Sequence, residues 1–412
     1  MKKYFTFFLF SLLFFTSEIY SQWYVQYQTS GNFLNDIRFI NRYTGWACGD
    51  NSILKTTNGG INWIPQIAHG YLTQIHPVND SIAYVCGEYI IMKTTNRGDN
   101  WITLREGTGL VPILNGLWFK DENTGWFCGR TVAMRTTNGG KTFIDSQYVP
   151  NTLNDIHFKN DSVGVIAAYS KTYRTTNSGI NWYPVLLPST LATPFTERLS
   201  FVGDTGWTIS RGRTVFKTTN YGISWDSATN IPFGGSLTAH SIEFSSSNTG
   251  YCGGDGGKIF KSTNGGFNWN ISLQSAGGPF SSIFSFNDSI VWAVGSVGSR
   301  YILNTVNGGL TKLINSHVYV KHYNILFQNY PNPFNANTSI KFRIEETSFV
   351  KLELYNINGK PIKTIISENL IKGEYKILYN GDALSSGVYF YTLKVSNNDL
   401  MFNETKKLLL IK

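Results

Sequence analysis

A hydrolytic site in this chain would have to be built from scattered groups. The groups between residues 22 and 315 include the glutamates Glu88, Glu106, Glu197 and Glu243 and the arginines Arg38, Arg105, Arg130, Arg198, Arg211, Arg213 and Arg300. Cleaving a glycosidic bond needs two carboxyls about 5–5.5 Å apart with retention, or about 6.5–9.5 Å apart with inversion. No spacing along the sequence sets up such a pair. The six histidines are dispersed, and His76 and His157 fall inside strand patterns, where they read as structural. No Gly-x-Ser-x-Gly elbow, His-Glu-x-x-His pair, phosphate-binding loop or calcium loop occurs, and no cofactor is implied.

Cysteine chemistry is equally sparse. Cys48, Cys86, Cys128 and Cys252 each precede a glycine, in contexts such as Trp46-Ala47-Cys48-Gly49 and Tyr251-Cys252-Gly253. Equivalent places in separate repeats lie farther apart than the roughly 7 Å Cα limit for a disulfide. They are expected to be buried free thiols, with no disulfide. Without a Cys-x-x-Cys or Cys/His pairing, no metal site is expected. Arg97-Gly98-Asp99 spells an adhesion tripeptide, but a repeated turn already demands Gly98 there, so coincidence is the better reading.

That turn is what positions everything else. Thr56-Thr57-Asn58-Gly59-Gly60-Ile61-Asn62-Trp63 returns around Asn96, Asn138 (with Phe143 in the tryptophan's place), Asn177, Asn220, Asn264 and, frayed and without an aromatic there, Asn307. The asparagines are spaced 38, 42, 39, 43, 44 and 43 apart. A period near forty signals stacked supersecondary units. Each unit holds four short apolar runs separated by Gly/Asn/Asp turns, as in 34–39, 46–49, 53–56 and the run opened by Trp63. Seven such units predict an all-β, seven-bladed β-propeller over residues 22–315. The run at residues 23–27 precedes the first full unit and is expected to complete blade seven, closing the ring.

In that geometry the turns between strands two and three, and the connections between blades, open on the face opposite the Asn turns. The first set brings Asp50, Glu88, Arg130, Lys171, Arg211, Arg213, Asp255 and Arg300. The second brings Tyr71, Leu110-Val111-Pro112, Tyr148, the excursion at 187–197 with Phe195, and Phe233 and Phe280. Arginines beside exposed aromatics on long loops are the composition of a binding face.

The ends carry addresses. Lys2-Lys3 followed by the apolar run 4–15 reads as a signal peptide over residues 1–21. No later segment is long enough to span a bilayer as a helix. The repeat stops near 315; residues 316–327 read as a linker, and 328–412 hold six or seven alternating runs, predicting a small β-sandwich. The net charge of +9 forms no Lys/Arg block, so nucleic acid is not an expected partner.

Two resemblances fit these residues. Thr-x-Asn-x-Gly-x-Asn-Trp is similar to the Asp-box with asparagine in the aspartate place, and the repeats resemble the photosystem II assembly-factor-like, or BNR-repeat, propellers. That resemblance implies the fold but not one activity, since such propellers include assembly factors, sialidases and glucanases. The second rests on Tyr330-Pro331-Asn332-Pro333-Phe334-Asn335, Leu354-Tyr355-Asn356-Ile357-Asn358-Gly359, Leu384-Ser385-Ser386-Gly387-Val388-Tyr389 and Lys406-Lys407-Leu408-Leu409-Leu410-Ile411-Lys412. Together they resemble a type A C-terminal sorting domain of the type IX secretion system, an Ig-like sandwich. Ala336 stands where that family more usually has proline.

The resemblance implies the type IX machinery as a partner of residues 328–412 and delivery, through the Sec pathway and the outer membrane, to the medium or the cell surface. The sequence is read as a monomeric, non-enzymatic binding module for an extracellular protein or glycan. Alternatives are a sialidase-like glycoside hydrolase, for which the Arg-Ile-Pro motif before the first blade is missing, and an assembly factor for an envelope complex.

Overall fold

A computed structural model describes residues 23–31, 33–107, 113–145, 148–188, 195–275, 278–296, 299–309, 325–344, 347–396 and 401–412. The expected leader, Leu110-Val111-Pro112, most of the 187–197 excursion and most of the linker lie outside them. Among the described residues every regular element is a strand, and no helix is long and apolar enough to cross a membrane. The chain divides into two compact units, 1–319 and 320–412.

The first unit holds seven four-stranded antiparallel sheets among the described residues, the blades of a β-propeller. Blade one is built from Leu34–Phe39, Gly45–Gly49, Ser52–Thr56 and Ile64–Gln66, from the axis outward. Its second strand is buried along its whole length, because neighbouring blades cover both faces. The inner strand of each blade packs on that of the next, and Phe280–Ser285 of blade seven returns to Leu34–Phe39. The ring therefore closes on itself.

Closure uses the displaced strand as expected. Tyr24–Ser30 pairs with Ser299–Thr305 as the outer strand of blade seven. Trp23, buried against Tyr251, Ile259 and Phe280, donates from Nε1 to Ser272 Oγ at 3.2 Å and abuts Gly309 of the seventh turn. It fills the place of the tryptophan that turn lacks.

The repeated turn is a hydrogen-bonded unit. Thr56 Oγ1 accepts from Gly60 N–H at 2.8 Å and Asn58 Oδ1 from Asn62 N–H at 2.9 Å. The second glycine is the obligatory one: Gly60 has φ 91°, and a Cβ there would overlap the Gln26 side chain. The first position tolerates Arg97, Ser178 and Tyr221 at positive φ. Gly98 obeys the same rule at φ 86°, which accounts for the adhesion-like tripeptide.

Blades are sewn together by two further devices. A ring from one inner strand stacks on an aromatic of the preceding blade's second strand: Phe39 on Trp292 at 3.8 Å, Phe119 on Tyr84 at 3.6 Å, Phe158 on Trp126 at 3.8 Å and Phe244 on Trp207 at 3.7 Å. In six of the blades the cation one residue before the turn donates to a carbonyl in the next blade's turn, as Lys261 does to Gly308 O at 2.9 Å; blade seven has Asn304 there instead. The four cysteines are buried and unpaired in the second strands, and burial pushes their thiols up, Cys86 to about 12.

The second unit is a two-sheet β-sandwich. One sheet pairs Ile325–Leu326, Asn337–Ile344 and Gly373–Asn380; the other pairs Pro361–Leu370, Ser348–Tyr355, Gly387–Ser396 and Met401–Leu410. Ile340, Phe342, Val350, Leu352, Leu393 and Leu408 alternate inward to form its core. Residues 328–335 pin the last strand. Asn332 Oδ1 accepts from Leu409 N–H at 2.8 Å, Phe334 N–H donates to Leu409 O at 3.0 Å, and the Phe334 ring is buried.

Candidate functional site

The site grows from the inner strands, which share one grammar: apolar, polar, polar, apolar, variable, then usually aromatic. In blade one this is Leu34-Asn35-Asp36-Ile37-Arg38-Phe39. A bulge after the first residue breaks the ladder, since Leu34 pairs with Gly49 but Asp36 with Cys48. The same irregularity recurs in every blade. It turns the second residue toward the axis on the face that carries the strand-two-to-three turns.

Those second residues are Asn35, Thr73, Asn115, Asn154, Glu197, His240 and Ser281, and all seven line one axial pocket of about 350 Å³. Five of them brace the ring. Asn35 Nδ2 donates to Leu72 O at 2.7 Å, Thr73 Oγ1 to Leu114 O at 2.8 Å, Asn115 Nδ2 to Leu153 O at 2.9 Å and Asn154 Nδ2 to Thr196 O at 2.7 Å. Ser281 Oγ donates to Leu34 O, joining blade seven to blade one.

Blades five and six depart from the pattern. Glu197 pairs with Arg211, whose guanidinium lies 4.2 Å from the Phe195 ring centre. Phe195 in turn meets Tyr169 edge-on at 4.6 Å. His240 Nε2 lies 2.8 Å from Asp255 Oδ1, and Thr238 donates to Asp255 Oδ2 from both N–H and Oγ1. Burial alone would raise the Asp255 carboxyl; the bonds from Thr238 and His240 outweigh it and hold the group below its ordinary value.

Below the mouth the axis is filled. Asp36 accepts from Ile75 N–H and Ser282 Oγ, Gln74 Oε1 from Leu117 N–H, and Asp155 from Leu199 N–H and Gln74 Nε2. These third residues thus each serve another blade. Deeper still, Arg38 faces Asp36 and Glu243, both at 3.6 Å, while Trp118 lies between His76 and His157. Burial, with the Arg38 charge, lowers His76 to about 4; burial, His76 and Arg38 lower His157 to about 3. Both imidazoles are neutral structural groups at neutral pH. Among the described residues no cluster of His, Cys, Asp and Glu could hold a metal ion.

The residues expected from sequence fall around this mouth unevenly. Tyr71 and Arg211 line the pocket, Phe195 flanks Arg211, and Asp255 holds His240. Asp50, Glu88 and Arg130 end their second strands and bridge by backbone to the following blade. Lys171 opens a third strand, Tyr169 taking the place aligned with Arg130. Arg213 sits in a turn at φ 71°, Arg300 lies over the Tyr27 ring in blade seven, and Tyr148 is exposed.

Phe233 and Phe280 are corrections. Both are wholly buried, Phe233 against Phe260 at 4.7 Å and Phe280 against Tyr301 at 5.7 Å, so they plug blades instead of presenting a surface. The pocket residues on the inner strands were missed. Their signal was present: a polar residue recurs at the second place of all seven inner strands.

Residues 146–313 match the family model described as photosynthesis system II assembly factor YCF48, and residues 328–410 match that of a secretion system C-terminal sorting domain. Among solved structures, YCF48 bound to D1 peptide superposes with a TM-score of 0.58 at 17% identity, covering 70% of this chain and 98% of that one. YCF48 from Cyanidioschyzon merolae gives 0.57 at 15% identity over 69% of this chain and 98% of that one. The WD40 propeller domain of Doa1 gives 0.54 at 11% identity, with coverages of 69% and 97%. No curated protein matches the sequence. The chain thus has an all-β propeller fold, similar over residues 146–313 to the YCF48 family model, and a tail similar over residues 328–410 to a secretion system sorting domain, which indicates export to the surface or the medium.

Proposed function

We propose that this chain is an exported, non-catalytic binding module that takes an extracellular protein segment or glycan at the axial mouth of its propeller. Residues 22–315 supply the module and 328–412 the address read by the secretion machinery. One observation carries the reading. Five of the seven mouth residues brace the ring, whereas Glu197 and His240, with Arg211 and Asp255, are organised toward the pocket instead. Departure from a repeat at one convergent place is what a selected ligand site does to a symmetric scaffold.

A sialidase-like role is disfavoured by the charge pairing. Such a site commits several arginines to one substrate carboxylate, but here Arg211 is held by Glu197 and Arg38 by Asp36 and Glu243. A second reading, a chaperone-like grip on one segment of an envelope protein, draws support from the likeness to YCF48 bound to D1 peptide.

The test is the full chain probed on glycan and surface-protein arrays, beside Asn154→Trp, which fills the mouth, and Arg130→Ala on the outer loops. Saturable capture by the wild type and Arg130→Ala, lost in Asn154→Trp and without turnover, is the expected outcome. Capture that survives the filled mouth, or turnover of a glycan, would refute the proposal.

A further inference from the structure

We propose that the axial pocket takes the carboxylate of an acidic sugar unit, with Arg198 as the group that receives it. This rests on the mouth being the ligand site, and names its ligand. Arg198 lines the pocket at the third place of the blade-five strand. The other blades carry Asp36, Gln74, Gly116, Asp155, Ser241 and Ser282 there. Asp36, Gln74, Asp155 and Ser241 each accept a backbone N–H from a later blade. A guanidinium has five donors and no acceptor, so Arg198 cannot perform that bracing.

One of its donors is also left over. Arg38 has Asp36 and Glu243, and Arg211 has Glu197. Arg198 belongs to no ion pair among the described residues, and its Nη1 is buried without a hydrogen-bond partner. Asp155, whose oxygens accept from Gln74 and from the N–H groups of Ile156 and Leu199, forms no ion pair with it among the described residues. A partly buried guanidinium with an unfilled donor is costly, and its planar fork matches a carboxylate.

The walls choose the rest of the ligand. Asn35, Asn115 and Asn154, whose Nδ2 groups brace the ring, and Thr73 and Ser281, whose hydroxyls do the same, line about 350 Å³ and offer their oxygens as acceptors, with the ring of Tyr71 at the rim. Amides and hydroxyls suit a polyhydroxylated ring better than an apolar side chain, the volume suits one sugar unit, and an aromatic rim offers a stacking face. The ligand chemistry is therefore that of a uronic-acid residue.

Calorimetry on the full chain tests this with glucuronate, its methyl ester and glucose. Glucuronate should bind saturably and at least about tenfold tighter than the ester, the difference between a charge-assisted and a neutral hydrogen-bond pair. Arg198→Gln should erase that discrimination and Arg198→Lys keep part of it, with melting curves showing both variants folded. Equal binding of acid and ester overturns the proposal on the wild type alone, whatever the variants do. So does discrimination that persists in Arg198→Gln, or a short peptide with a free C-terminal carboxylate binding where glucuronate does not. Array capture that is lost in Asn154→Trp while the wild type ignores glucuronate refutes the acidic sugar and leaves the binding module standing.

Discussion

Arg38 of blade one and Glu243 of blade six meet across the propeller axis, Nη1 to Oε2 at 3.6 Å. Residues 205 positions apart in sequence thus share one low-dielectric plug beneath the pocket. Burial pushes the Glu243 carboxyl up to about 7, against the pull of Arg38. Plugging the axis with charge couples the stability of the ring to protonation.

The coupling has a definite sign. Glu243 titrates near 7 when folded and near 4.3 when unfolded, so it favours folding at low pH and loses that contribution as pH rises through 7. His76 and His157, at about 4 and 3, act oppositely: their contribution is present above about 6.5 and is lost as pH falls. Between about pH 4.5 and 6.5 the unfolded chain therefore gains roughly two histidine protons while the folded one holds the glutamate proton. Denaturant midpoints measured across this window should rise with pH in the wild type. In Glu243→Gln the slope should be about twice as steep; an unchanged slope would exclude titration of Glu243 there.

In the first box turn asparagine replaces aspartate without loss, because only its acceptor oxygen is used: Asn58 Oδ1 takes the Asn62 N–H at 2.9 Å, whereas Asn138 and Asn220 also donate from Nδ2, to Thr142 and Ser224. Asn58→Asp should change stability by less than about 0.5 kcal/mol, whereas Asn58→Ala should cost about 1–2 kcal/mol by orphaning a donor. Urea unfolding of both variants separates the two cases.

The fold was legible because period, turn and strand alternation are local signals repeated seven times. Even ring closure could be read, since blade seven lacks a box tryptophan and Trp23 is in surplus. The pocket was harder. The outer-loop reading found Tyr71, Arg211 and Asp255 because loops with arginine and aromatics are conspicuous, but it took Phe233 and Phe280 for surface. Whether such a ring faces out or plugs a blade depends on packing between blades, which sequence spacing does not encode. Asn35, Asn154 and Arg198 were hidden for another reason. A bulge, invisible in an alternating pattern, decides which of two consecutive polar residues faces the axis.

Trp23 makes the closure testable. It is 3% exposed, packs among Tyr251, Ile259 and Phe280, and bonds Ser272. Trp23→Ala should cost about 3–5 kcal/mol, as for other buried aromatics. Because the loss falls at the one seam joining the two ends of the ring, hydrogen exchange should speed first in Tyr24–Ser30 and Ser299–Thr305. Uniform loss of protection in all seven blades would refute a distinct seam.

The departure at Ala336 follows from the backbone of its turn. Ala336 has φ 61°, in the left-handed region, and its carbonyl accepts from Gly381 N–H at 2.7 Å. A proline ring fixes φ near −65°, so the residue more usual in the sorting family cannot occupy this turn as it stands. Ala336→Gly should stabilise the sandwich by about 1 kcal/mol, the usual left-handed penalty of a side chain. Ala336→Pro should destabilise it and loosen Met401–Leu410, because the same turn leads from Phe334, which holds Leu409 and Ile411. Thermal melts of the full chain, with hydrogen exchange read over the last strand, decide the matter. A proline variant as stable as the wild type would mean that the turn is free to take a second form.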